Sequence, residues 1–196
     1  MRIVAKAGMD KILTDNKMRD IINDKNAVSI YHKNNWDHLV VHWGEKSENQ
    51  TPSYIDFFFD AAYMVGFFRR FVDDLDFKYV YLSSIFPKAY KIRTNDDDVS
   101  RDVYDEYRRL FKKLGLKINT SKSIMMTKKE IINWCDRFSV AGFMGLSEFY
   151  LIIPEQKIII EAHHHMNYVI YAKDKEKVLS QIAVHGYDGN IKLREE

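Results

Sequence analysis

Three consecutive histidines, His163, His164 and His165, stand two residues behind Glu161 in the run EFYLIIPEQKIIIEAHHHMNYVIYA. In an extended chain Glu161, His163 and His165 point to one face and His164 to the other. Two imidazoles and a carboxylate are a ligand set for a borderline divalent metal such as zinc, and the same groups suit acid–base chemistry. Same-face neighbours on a strand lie about 7 Å apart. They reach one ion only where the strand bends or another segment completes the set. The spacing carries less than a helical H-E-x-x-H, which is absent. The plainer reading of AHHHMN is a solvated turn between two strands.

A second group of histidines lies near the start of the chain. His38 and His42 flank LVV, so strand periodicity puts both on one face, and His32 on the preceding strand can sit across from them. Such a cluster is sensitive to protonation and suits a ligand-facing surface; a wet sheet face produces the same pattern without a function. Basic residues interleave with aromatic ones at FFRRF and YRRLFKK, where Arg108, Arg109, Lys112 and Lys113 form the outer side of an amphipathic helix suited to phosphate contacts, and Arg108, Arg109 and Lys112 are the candidate binding surface. Asp105 and Glu106 dilute that field.

Other groups read as structural. NDDD at 95–98 lacks the glycine and final glutamate of a calcium loop, and Asp98 or Ser100 suits a helix cap. Cys135, the single cysteine, falls on the inner face of a helix, where a thiol is inert. No G-x-G-x-x-G, Walker loop or G-x-S-x-G is present.

The elements that must position these residues follow from periodicity. RIVAKAG reads as an edge strand, Asp10 to Asn23 as a helix, and AVSIYHK and DHLVVHWG as an antiparallel pair. The Phe-rich segment Tyr54 to Val72 carries Asp56, Asp60, Arg69 and Arg70, too many charges for a membrane span, and reads as a buried helix. FKYVYLSS is a strand, with a shorter one at Ala89 to Arg93. Val103, Tyr104, Tyr107, Leu110, Phe111 and Leu114 define one face of a helix that Gly115 stops. TKKE at 127–130 is a capping box opening a helix that buries Ile131, Trp134, Cys135 and Phe138. EFYLIIP, KIIIEA and NYVIYA form a meander, a helix starts near Asp174, and GYDGNIKLREE offers a final short strand. The order does not repeat as βαβ units. It predicts an α+β fold, a mainly antiparallel sheet with a C-terminal meander, packed by about five helices.

The 196 residues suit one domain, 1–196, with a weak lobe boundary near 115–123 as the alternative division. Thirty basic against 28 acidic residues give a net charge of +2, which argues against a duplex-binding face. One cysteine suits a reducing compartment, and the first residues lack a secretory core, so a cytoplasmic protein is expected.

From Glu148 to Val178 the chain resembles a group of small bacterial proteins organised like toxin-immunity proteins. In those an aromatic strand, a turn and a second strand lead to an acidic-arginine element, a further strand and a KDKE helix. Here AHHHMN replaces the acidic-arginine element, and no catalytic residue carries over. The small size, the missing catalytic motifs and the many aromatic residues fit a non-catalytic protein, for instance an immunity-like one, that binds or inhibits another protein through an exposed surface. The alternatives are a metal-assisted hydrolase or nuclease centred on Glu161, His163 and His165, and a self-assembling protein that buries the Phe57–Phe71 helix between copies. The expected partner is another protein and not a membrane, with nucleic acid a less favoured alternative and a homo-oligomer a further option. No cofactor is expected beyond the zinc-like metal.

Overall fold

Residues 150–172 contain three apolar runs punctuated by two turns, and they form the centre of the sheet. β5 (Tyr150–Ile153), β6 (Ile158–His163) and β7 (Asn167–Ala172) make an antiparallel meander. Lys157 and Met166, each with φ near +50°, close its two turns in the left-handed conformation. β5 is buried on both faces, which explains its unbroken apolar sequence.

The computed structural model describes residues 1–21, 27–33, 54–83, 98–117, 120–147, 149–164, 166–185 and 189–195. The remaining strands are β1 (Arg2–Val4), β2 (Ala27–His32), β3 (Tyr79–Ser83), β4 (Ser123–Thr127) and β8 (Ile191–Glu195). The helices are α1 (Lys6–Asp15), α2 (Tyr54–Asp74), α3 (Asp98–Lys113), α4 (Lys128–Ile132), α5 (Cys135–Phe143) and α6 (Lys175–His185). The strands form one antiparallel sheet in the order β1-β4-β3-β5-β6-β7-β2-β8. The fold is α+β, as the periodicity predicts.

Strand alternation splits the sheet into two faces. Ile30, Leu82, Leu151, Ile160, Tyr168 and Ile170 point to a large core shared with α2, α3, α5 and α6. α2 supplies most of its aromatic content: Phe67, Phe68 and Phe71 are fully buried, and Phe68 stacks on Tyr168 with ring centres 4.3 Å apart. Each such ring contributes about 1.5–3 kcal/mol by leaving water. The aromatic face considered for self-assembly is therefore spent inside the chain, with Phe59 the exposed phenylalanine among the described residues of α2. On the other face, α1 and the turn after it lay Met9, Leu13, Met18 and Ile21 over Tyr150, Ile152 and Ile159.

Four elements differ from the sequence reading. The first helix runs Lys6–Asp15 and stops well short of Asn23, because the Asn16 side chain bonds back to the Ile12 carbonyl and Lys17 turns left-handed. Met18 and Ile21 keep their helical spacing but reach the same core from a turn. β2 pairs with β7 and β8 on its two edges; its expected partner DHLVVHWG, residues 37–44, lies outside the described residues, as do 89–93. β4 was not expected: SIMMT has only one β-branched apolar residue, yet it bridges β1 and β3. The helix after TKKE is two helices. Both reciprocal bonds of the capping box form, but the chain turns at Asn133–Trp134 before α5 begins. The Gly115 stop is as predicted, with φ +66° and the Leu116 N–H donating to the Phe111 carbonyl.

No described helix is long and apolar enough to cross a membrane.

Candidate functional site

Helix α3 is held by its Tyr107, Leu110 and Phe111 face, and the rest of its circumference is polar. Tyr107 stacks on Phe149 and meets Trp134 edge-on, with ring centres 5.2 Å apart in each pair. Because Trp134 sits in the turn between α4 and α5, it is only half-buried and forms a wall rather than core. Between that wall and α3 lies a cleft of about 420 Å³, lined by Met1, Glu106, Arg109, Leu110, Lys113, Leu114, Glu130 and Trp134.

The carboxylates bordering the cleft are already engaged. Glu106 accepts from Arg137 Nε at 2.6 Å, and that bond, aided by the guanidinium charge, holds its carboxyl below the usual range. Arg137 also contacts Asp136 at 3.3 Å, and Asp136 accepts from Arg69 of α2 at 2.6 Å. These pairs tie α2, α3 and α5 together. Burial raises the Glu130 carboxyl, but its bonds to the terminal amine and to the Thr127 N–H and hydroxyl outweigh that and leave it lowered.

The cations are not engaged in the same way. Arg109 is 3.9 Å from Glu106 with its side chain 73% exposed, a weak contact. Arg108, Lys112, Lys113 and Lys117 are exposed, and among the described residues none has an acidic group in ion-pair range. Arg109 and Lys113 occupy one row along α3, at the lip of the cleft, and Arg108 and Lys112 the adjacent outer row. Arg108, Arg109 and Lys112 thus come together as the sequence suggests. The half-buried Trp134 wall and the cleft itself were missed. The available signal for Trp134 was its size, since tryptophan is rarely fully buried.

The histidine candidates are dispersed. Glu161 and His163 share the α1 face of the sheet, as alternation requires, and both are half-buried. Register places His163 opposite Asn167, itself opposite Tyr31, which faces Lys192. His164 leaves the strand in the turn, its ring 3.9 Å from that of His163. His165, His38 and His42 lie outside the described residues. Among the described residues no three His, Cys, Asp or Glu side chains converge as a metal site. His32 does not belong to an exposed surface and does not face His163. It points to the helical side of the sheet, 4% exposed, with Nδ1 3.1 Å from Asp60 Oδ2 and its ring edge-on to Tyr63.

Cys135 is fully buried, and desolvation pushes its thiol up to about 12, far from a reactive thiolate. Nearby, Tyr168 donates to Ser139 Oγ at 2.6 Å in a closed interior, where burial raises the phenol well above its ordinary value.

No protein-family model matches the chain. Neither the curated proteins nor the solved structures include a match to it.

Proposed function

We propose that this is a non-catalytic partner-binding or inhibitory protein, immunity-like in mode, that acts by covering part of another protein with the C-terminal half of α3. One observation carries the reading. From Tyr107 to Lys117 the chain has five cations and no acid, although its total charge is only +2, and four of the five have no acidic group in ion-pair range among the described residues. Elsewhere around α3 charges are matched across helices, as in Arg69–Asp136–Arg137–Glu106. A helix needs one or two cations near its C-terminus to balance its dipole, and five exceed that need. Clustered cations of this kind steer and orient an acidic surface more than they stabilise a fold.

The test is charge reversal. Arg108→Glu/Lys112→Glu should fold normally and lose a partner that the unaltered chain captures in a salt-sensitive manner. Reversal of Lys173 and Lys175, at the far end of the meander, should leave capture intact. Equal loss in both variants, or none in the first, would overturn the assignment of the surface.

A further inference from the structure

We infer that the cleft beside α3 receives an extended acidic segment of the partner in which carboxylate and apolar side chains alternate. The inference rests on the partner-binding reading above and names the chemistry that the surface selects.

The cleft has two unlike sides. Arg109 and Lys113 form one lip, one helical turn apart, so their stems are separated by about 5–6 Å. Leu110 and Leu114 make an apolar floor, and Trp134 the opposite wall. The two carboxylates within it do not cancel the lip, because Glu106 is held by Arg137 and Glu130 by the terminal amine and the Thr127 cap. The volume of about 420 Å³ lies in the range of clefts that enclose a few side chains.

An extended peptide places every second side chain on the same side, about 7 Å apart. Lying along α3, it would direct carboxylates at i and i+2 to Arg109 and Lys113. The intervening side chain would then point across the floor to Trp134. Charge fixes the lip contacts and apolar burial fixes the other side, so neither a purely acidic nor a purely apolar segment satisfies the cleft. A single-stranded nucleic acid could meet the same cations and stack on Trp134, but its phosphate chain would bring no aliphatic side chain to the Leu110 and Leu114 floor.

The experiment is calorimetric titration of the intact chain with three short peptides, alternating Glu–Leu, Glu–Ser and Lys–Leu, and with a short oligothymidylate. The Glu–Leu peptide should bind, weaken with salt, and weaken at least about tenfold in Arg109→Glu/Lys113→Glu, since two charge-assisted contacts are lost. Both positions are exposed, and circular dichroism is to check that the variant is folded. The Glu–Ser peptide should bind more weakly and the Lys–Leu peptide not at all. Absence of Glu–Leu binding, equal binding of Glu–Ser or Lys–Leu, unchanged affinity in the variant, or preference for the oligonucleotide would each overturn the inference. If the peptide fails while Arg108→Glu/Lys112→Glu still abolishes partner capture, only the cleft chemistry falls. If capture also persists in that variant, the partner-binding reading falls with it.

Discussion

Helices α5 and α3 flank the same core and meet it in opposite ways. α5 lies so close to β6 that a side chain at Gly142 would enter the space of the Ala162 carbonyl, and its buried hydroxyl at Ser139 is closed off by Tyr168. α3 touches the interior with Tyr107, Leu110 and Phe111 and then stands away from α4, leaving a cleft and four cations that have no acidic group in ion-pair range among the described residues. Where backbone meets backbone the chain uses small residues and resolves every polar group it can. Where a helix stands off, long charged side chains remain available to something else. The chemically richer face is thus the more loosely packed one.

The largest expected effect comes from closing that contrast on the tight side. Gly142→Ala should lower unfolding stability by at least about 2 kcal/mol in a denaturant titration, because the added methyl meets backbone that cannot rotate away. Leu114→Ala, beside the open cleft, should cost much less than a core truncation, since its site already borders solvent.

Next is the Tyr168–Ser139 bond. Tyr168→Phe should cost about 1–2 kcal/mol by stranding a buried hydroxyl. Adding Ser139→Ala should restore part of that loss, because no polar group is then left unpaired. Additive losses in the double variant would show that the two hydroxyls do not depend on each other.

On the open side the effects are small. Glu106 is stabilised in its charged form by Arg137, so its folded pKa lies below the ordinary 4.5. Its contribution is fully present above that value and is lost as pH falls through the lower folded one. The stability gap between the unaltered chain and Glu106→Gln should be about 0.5 kcal/mol at neutral pH, discounted for a pair one-third exposed, and should close below pH 4.5. A gap that widens on acidification would reverse the assignment. The smallest effect is at Cys135. Its thiol, held near 12 inside α5, should not react with a thiol reagent at pH 8 in the native state and should react once denatured.

Much of the architecture was legible because it repeats a local rule. The meander, the amphipathic α3 with its Gly115 stop, and the TKKE cap each follow from a few neighbouring residues, and each formed. What escaped was decided across the chain. β4 is a strand because β1 and β3 hold it on both sides, not because SIMMT prefers to be one. His32 looks like half of a wet histidine face until α2 brings Asp60 against it. The cationic half of α3 was legible, since exposure can be read from one helix. The cleft was not, because its far wall comes from a break between helices that a single continuous pattern concealed.

The sheet order has a consequence for how the chain is made. β2 borders β7 and β8, and Ala27 meets Tyr171. A ribosome adds roughly 5–20 residues each second, so β2 waits on the order of ten seconds for the strands that cover its edges. During that interval the phenylalanines of α2 lack the β6 and β7 part of the sheet, where Phe68 stacks on Tyr168. The nascent chain is therefore at its stickiest in the middle of synthesis, and holding by a chaperone at that stage should raise its yield more than any aid given after release.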